Sequence, residues 1–225
     1  MSSGPILALD TSGSFCSVAV MGLDGRITSR ASKGEGDHFE RLPQLVRSVC
    51  YDAGVEAREL GAIRVGLGPG SFTGLRIGMS FAKGIATALR IPLTGICSFR
   101  AAAISVSKKQ GVPGPILIVA DARRGELFFG SFEVDAAGCR PIQAPAIISA
   151  EEAREVVGGK EATMYTPERG LLFDGNEVPT VSSIGEGLVL DGGANGPFSL
   201  EQIAELEPSY IRGVSAKSIA ERRGT

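Results

Sequence analysis

The chain has 225 residues, a length that suits one or two domains and that buries about 70–75% of the unfolded chain's surface without disulfide support. Its formal net charge of −2 excludes a strongly basic nucleic-acid-binding protein, so we expect a partner to hold most of any bound RNA. The four cysteines form no CxxC pair and no apolar run reaches transmembrane length, so we expect buried, reduced thiols and a cytoplasmic protein without a signal peptide.

The first predicted strand covers residues 6–9 and ends at Asp10, within the polar turn 10–14. Further strands are predicted over 15–21 and 26–31, joined by a hairpin at Asp24-Gly25. An aspartate at the end of a strand, followed by small residues, has two interpretations. Such a loop binds phosphate in some nucleotide-binding proteins, and the same residue also closes an Asx turn on its own backbone. We favour the Asx turn.

A helix is predicted over residues 37–53, where Asp37 and Glu40 form a capping box and Gly54 ends the helix. Pro43 lies inside this helix and should bend it. The single histidine, His38, lies in the first turn, and we favour a surface or capping role over metal binding. The apolar face of the helix consists of Phe39, Leu42, Leu45, Val46, Val49 and Cys50.

The most distinctive stretch is 66–89, which reads GLGPGSFTGLRIGMSFAKGIATAL. It predicts the end of a strand, a glycine-rich turn, and a long helix capped by Thr73. The helix has two apolar faces, since it is polar only along a narrow stripe. The first face is Leu75, Gly78, Met79, Ala82, Ile85, Ala86 and Leu89, and the second is Ile77, Phe81, Gly84 and Ala88. The sheet covers only one face, so we expect the other to bind a partner.

The glycines of this turn also suggest a phosphate-binding loop, but the pattern does not fit one. A P-loop places Lys and then Ser or Thr at the helix start, where this chain has Gly74, Leu75 and Arg76. The dinucleotide pattern GxGxxG fails because Ser71 or Thr73 occupies the place of the third glycine. We therefore favour a turn that packs the helix tightly against the sheet.

The second half of the chain repeats the plan of the first. A strand at 93–97 and a helix at 99–108 lead to a linker at 111–115, so we predict one lobe over 1–110 and a smaller one over 111–225. A strand from Ile116 then ends at Asp121, just as the first strand ends at Asp10. The turn that follows contains Arg123 and Arg124, which either bind an anion or are solvated; we favour solvation.

Fewer signals mark the remaining residues. A short helix is predicted over 149–157, capped by Ser149 and Glu152, and loops with short strands over 161–181. A glycine-rich turn at 191–196 follows, and a short helix is predicted over 200–206.

The eleven residues 68–78, GPGSFTGLRIG, together with IPL at 91–93, resemble the TsaB family. The resemblance runs from Ile6 to about Phe99 and returns weakly at 208–212. It implies an α/β fold of the actin/sugar-kinase/Hsp70 type, with two lobes of which the second is reduced. In that fold the turn after Asp10 corresponds to the first phosphate loop, and 191–196 resembles the Gly-Gly nucleotide motif.

The resemblance also implies a function in tRNA modification. TsaB proteins are needed to make threonylcarbamoyladenosine 3′ of the anticodon in ANN-decoding tRNAs. The chain would be a non-catalytic subunit without cofactor or metal. It would bind the catalytic relative TsaD, with the ATPase TsaE joining that pair, and would meet tRNA indirectly.

Two sequence features separate this chain from enzymes of the same fold. TsaD-like proteins bind a metal through H-x-x-x-H, and the two histidine positions fall on Ser98 and Ala102 here. This difference argues against a metalloprotease. The absence of D-x-G at Asp121, where the second phosphate loop would lie, argues against a nucleotide-dependent enzyme such as a small kinase.

We expect the predicted helices 37–53 and 73–89 to pack side by side at one edge of the first lobe and to form the partner interface. The partner is either TsaD or a second copy of the chain. A bulky charged residue at Gly78 or Ala82 is expected to break association if that position faces the partner. The sequence leaves open which helix face does so, and whether nucleotide binds. The candidate interface residues are Phe39, Leu42, Val46, Leu75, Gly78, Met79, Ala82 and Ile85.

Overall fold

The first lobe is built on a five-stranded mixed sheet. The computed structural model describes residues 4–32, 38–111, 115–157, 163–191 and 202–211. The strands are β1 (Ile6–Asp10), β2 (Ser17–Met21), β3 (Ile27–Ala31), β4 (Ala62–Gly66) and β5 (Leu93–Ile96), in the order β3-β2-β1-β4-β5. The first three are antiparallel neighbours, whereas β1, β4 and β5 run parallel.

A second sheet, four-stranded within the described residues, repeats the order of the first four strands. Its members are β6 (Ile116–Arg123), β7 (Glu126–Asp135), β8 (Gly138–Ser149) and β9 (Thr163–Tyr165), in the order β8-β7-β6-β9. Here β6 and β9 are parallel and the other pairs antiparallel. The repeated order confirms the predicted duplication and the two-lobed fold of the actin/sugar-kinase/Hsp70 type. A small hairpin, β10 (Leu172–Phe173) and β11 (Asn176–Glu177), follows.

In the part of the chain that the structure describes, five helices cover the sheets in layers. They are α1 (His38–Ala53), α2 (Phe72–Leu89), α3 (Ser98–Gln110), α4 (Ala150–Val157) and α5 (Ile184–Leu190). Helices α1 and α2 pack on the outer face of the first sheet, α3 and α5 lie between the two sheets, and α4 packs on the second sheet's outer face.

Strand alternation assigns side chains to these layers. In β1, Leu7 and Leu9 join the core under α1 and α2, whereas Ala8 joins the core under α3 and α5. In β6, Ile118 belongs to the central core and Leu117 to the outer one. Both sheets are therefore buried on two faces, which explains the near-continuous apolar runs of β1 and β6.

Helix α5 belongs to the later part of the chain but packs on β1 and β2. Arg64 on β4 donates hydrogen bonds to the carbonyl oxygens of Leu188 and Val189, both at 2.9 Å, and to that of Asp191. Desolvation by burial lowers the pKa of Arg64. Arg100 pairs with the buried Asp191 carboxylate at 2.5 Å. The end of α5 is thus fixed to the first sheet, and the division at residue 110 stays a prediction.

The helix boundaries correct some predictions and confirm others. The cap of α2 is Ser71 rather than Thr73: the Ser71 side chain accepts a hydrogen bond from the Gly74 N–H at 3.2 Å. Pro43 lies inside α1 as predicted. The helix predicted over 200–206 is reduced, among the described residues, to a 3₁₀ turn at Ile203–Glu205.

Other local predictions have mixed outcomes. The capping box at Ser149 and Glu152 is confirmed, since each side chain accepts a hydrogen bond from the other's backbone N–H. The predictions for Asp37, for most of the linker at 111–115 and for the glycines of 192–196 lie outside the described residues.

The cysteines are free thiols, as expected. Cys16, Cys50 and Cys139 are buried and Cys97 is half-buried. Burial raises the pKa of Cys16 and of Cys139 to about 12, so both stay protonated near neutral pH. Within the described ranges, no helix has both the length and the apolarity needed to span a membrane.

Candidate functional site

The loop after β1 is seated against the start of α2. The backbone N–H of Ser71 donates to the carbonyl oxygen of Ser12 at 2.7 Å, and Thr11 Oγ1 donates to the carbonyl oxygen of Gly74 at 2.7 Å. Thr11 and Ser12 are almost fully buried. The loop is therefore an internal part of the fold along this stretch.

Asp10 anchors this loop from inside the protein. Its Oδ1 accepts hydrogen bonds from the backbone N–H and the hydroxyl of Ser12, at 2.9 and 2.7 Å, which confirms the predicted Asx turn. Its Oδ2 accepts the Ser98 hydroxyl at 2.5 Å, and Ser98 Oγ accepts the N–H of Gly68 at 2.9 Å. Ser98 stands where TsaD-like proteins have the first histidine of H-x-x-x-H, and here its hydroxyl links three segments of the chain. Ala102, at the second position, is completely buried.

Two glycines allow the loop to approach α2 and β4 this closely. A Cβ atom at Gly66 would lie 1.8 Å from Asp10 Oδ2, and one at Gly78 would lie 2.3 Å from Thr11 Oγ1. Neither position can take a side chain without moving the loop. Packing therefore accounts for Gly78 of the 68–78 signature and for Gly66 just before it, which is the interpretation that the sequence favoured.

A polar cleft of about 560 Å³ lies between the corresponding turns of the two lobes. Asp121 repeats the Asx turn of Asp10, since its Oδ1 accepts the N–H of Arg123 at 2.6 Å. Glu168 Oε2 accepts the N–H of Asp121 at 2.8 Å, and burial raises the pKa of Glu168. Across the ranges that the structure describes, no group of three or more His, Cys, Asp or Glu side chains is arranged to hold a metal ion. The cleft is lined by Ser12, Gly13, Ser14, Gly70, Ser71, Phe72, Thr73, Asp121, Ala122, Arg123, Phe128 and Glu168.

Helices α1 and α2 pack side by side and leave an outward-facing groove of about 640 Å³ between them. Its lining is mainly apolar and consists of Leu42, Pro43, Phe72, Thr73, Arg76, Ile77, Ser80 and Phe81. Ile77 and Phe81 are only half-buried, and Gly84 and Ala88 are exposed. The second apolar face of α2 therefore points away from the sheet.

Most of the candidate interface residues lie on the inner face instead. Leu42, Leu75, Gly78, Met79 and Ala82 are buried against the chain's own sheet and loop. Val46 and Ile85 are half-buried at its margin, and the side chain of Phe39 lies outside the description.

Because of this placement, variants at Gly78 and Ala82 would test folding rather than association. A charge at either position would disturb folding, because both contact the chain's own core. Of the groove residues, the candidate list contains only Leu42, and the aromatic and aliphatic side chains that it missed include Phe72, Ile77 and Phe81. The second apolar face of the helix was the sequence signal for Ile77 and Phe81.

An aromatic and arginine cluster closes the end of the groove beside the cleft. The Tyr210 ring lies 5.2 Å from the Phe72 ring, and the Arg76 guanidinium lies 4.0 Å above the Phe72 ring. The N–H of Ser209 donates to the carbonyl oxygen of Leu67 at 2.8 Å and fixes this segment. Phe72 and Thr73 line both the groove and the cleft, so the two features meet at the start of α2.

Comparisons with known proteins agree on one family. The model of the TsaD family, tRNA N6-adenosine threonylcarbamoyltransferase, matches residues 30–204. The chain is 28% identical over 219 residues to the tRNA threonylcarbamoyladenosine biosynthesis protein TsaB of Escherichia coli, covering 92% of this chain and 94% of that protein. It is 34% identical over 128 residues to TsaB of Bacillus subtilis, covering 57% and 55%. The structure of YeaZ from Pseudomonas aeruginosa superposes with a TM-score of 0.73 at 28% identity, covering 92% and 99%.

Two alanine substitutions on α2 test the role of the inner face. We expect Gly78→Ala to lower the free energy of unfolding by about 2 kcal/mol or more, because the new methyl group collides with Thr11. Gly84→Ala is the matched control: nothing lies within 4 Å of its Cβ position, so it should raise stability by about 0.5–1 kcal/mol. Urea unfolding followed by circular dichroism measures both, and equal effects would contradict the close packing.

Proposed function

The chain belongs to the TsaD family and, within it, to the TsaB proteins, and we propose that it serves threonylcarbamoyladenosine formation in tRNA as a binding subunit without catalysis of its own. In this proposal it binds the transferase TsaD and supports a competent arrangement of TsaD's own site. The modified base is the adenosine 3′ of the anticodon in ANN-decoding tRNAs.

The outward groove between α1 and α2 is the observation that carries this proposal. Half-buried Ile77 and Phe81 line it together with Pro43, and the α2 face continues through exposed Gly84. Small residues on a helix face allow a second helix to come close, and apolar grooves of this kind typically receive helices. A pair of helices from TsaD laid against α1 and α2 would bury this surface. A second copy of the chain would compete for the same groove.

The surroundings of Asp10 and Ser98 support a role in binding a partner rather than in catalysis. At the positions that correspond to TsaD's metal-binding histidines, the Ser98 hydroxyl is bonded to Asp10 and Gly68, and Ala102 offers no ligand atom. Asp10, which would face a phosphate-bound metal in a nucleotide-binding relative, is completely buried in its own turn. An enzyme of the same fold remains the competing proposal, and a metal bound stoichiometrically to the purified protein would favour it.

The partners that we propose follow from membership of the TsaB proteins. We propose TsaD as the occupant of the groove, TsaE as the ATPase that joins the pair, and the cytoplasm as the compartment in which they meet tRNA. The formal net charge of −2 fits a subunit that is not the main tRNA-binding surface of such a complex.

A substitution in the groove should separate binding from folding. Ser80 is exposed in the groove, so Ser80→Arg should leave the free energy of unfolding within about 0.5 kcal/mol while weakening TsaD binding by about tenfold or more, because a charge fills an apolar groove. Ser48→Arg, at an exposed α1 position that does not line the groove, is the matched control. Affinity measured by calorimetry decides, and equal binding by both variants would rule out this groove as the interface.

Depletion of the protein in its native cell should remove threonylcarbamoyladenosine from ANN-decoding tRNAs, because TsaD would lose its supporting subunit. Mass spectrometry of digested tRNA measures the modified nucleoside directly. Unchanged modification would reject the proposed pathway. Rescue by a Ser80→Arg protein that fails to bind TsaD would reject only the contact mechanism.

A further inference from the structure

The hairpin between β6 and β7 holds two arginines in an uncommon backbone conformation. Arg123 and Arg124 have φ values of 68° and 61°, and Gly125 follows at 77°. This left-handed region suits Gly, Asn and Asp, so Arg at both positions costs stability that those residues would not. Both side chains are exposed, and the ladder is irregular between Asp121 and Arg123. The strained turn places two guanidinium groups at the tip of the hairpin.

The first of these arginines stands at the mouth of the polar cleft, and Arg124 follows it at the exposed tip of the hairpin. Arg123 lines the cleft, and its guanidinium forms a solvent-exposed pair with Asp121 at 3.1 Å. Arg169 lies on the same rim: its N–H donates to Ser14 Oγ at 3.2 Å, and its guanidinium lies 5.1 Å from the Phe15 ring centre. The first loop therefore has cationic side chains on two sides.

Arg76 adds a cation where the cleft meets the groove. Its guanidinium stacks on Phe72, a residue that lines both features. The acidic groups of the cleft, Asp121 and Glu168, already accept backbone N–H groups of the lobe. The mouth thus has the guanidinium groups of Arg123 and Arg169 beside the carboxylates of Asp121 and Glu168, in a chain whose formal net charge is −2.

We propose that this arginine rim, Arg123, Arg124 and Arg169, binds the phosphate backbone of tRNA while TsaD occupies the groove. The proposal rests on the proposed function and extends it, since it gives the subunit a direct RNA contact. Guanidinium groups match phosphate oxygens bidentately and stay charged at any physiological pH. The rim adjoins the groove through Phe72, so an RNA held by the docked TsaD can reach both proteins.

The backbone strain provides a sharp test. Arg124→Gly removes the charge and relieves the left-handed conformation, so the protein should become more stable and bind tRNA less well. Arg90→Gly is the matched control, because Arg90 also has a positive φ, 55°, and follows the C-terminal end of α2, a helix about 27 Å long that starts beside the cleft. It should also stabilise the protein and leave tRNA binding unchanged.

The measurement uses the full chain in complex with TsaD and fluorescently labelled tRNA at several salt concentrations. For Arg124→Gly we expect an affinity about three- to tenfold lower and a salt dependence weaker by about one phosphate contact. Equal tRNA affinity of both variants would overturn the inference, as would an Arg124→Gly protein that loses TsaD instead of tRNA. If no complex with TsaD forms at all, the proposed function fails, which is a different outcome.

Discussion

The hydrogen bonds around Asp10 are the constraint on which the rest of the structure depends. One buried carboxylate holds its own turn through Ser12 and reaches the start of α3 through Ser98, whose hydroxyl also binds the turn before α2 at Gly68. A buried carboxylate is tolerable only when such partners are present. The network therefore fixes where α2 begins and how it is rotated on the sheet. The rotation in turn decides which apolar face points outward.

This arrangement gives α2 an inner and an outer surface with different surroundings. The inner surface receives the loop of Asp10, and Gly78 is there because Thr11 comes too close for a side chain. The outer surface leaves Ile77 and Phe81 in an open groove. The loop after β1 thus supports the helix whose outer face lines the groove. The cleft and groove meet at Phe72, so a docked protein and an RNA would lie next to each other.

The sequence predicts the repeated topology because alternation and glycine breaks are local signals. It did not identify the outward face of α2, since both faces are apolar and only the contact with Thr11, distant in the chain, selects one. The cap at Ser71 rather than Thr73 has a similar cause: the Ser71 N–H bonds to Ser12, outside the helix. β8 had no clear pattern because it is an edge strand that contains Pro141 and Pro145. The sequence places Arg123 and Arg124 in a turn, but it does not predict their positive φ values, because Gly, Asn and Asp are the residues that favour that conformation.

Native-state hydrogen exchange of the amides of Ser12, Gly68 and Ser71 tests the central claim, that the first loop is locked into the fold. Each of these amides donates to a partner within the network. The account predicts that they exchange only through global unfolding, with the protection of core strands. The amide of Arg26, which donates to the exposed Asp24 side chain at 3.0 Å, provides a solvent-exposed reference in the same protein. Exchange of Ser12 and Gly68 on the timescale of Arg26 would mean an open loop and would contradict the account.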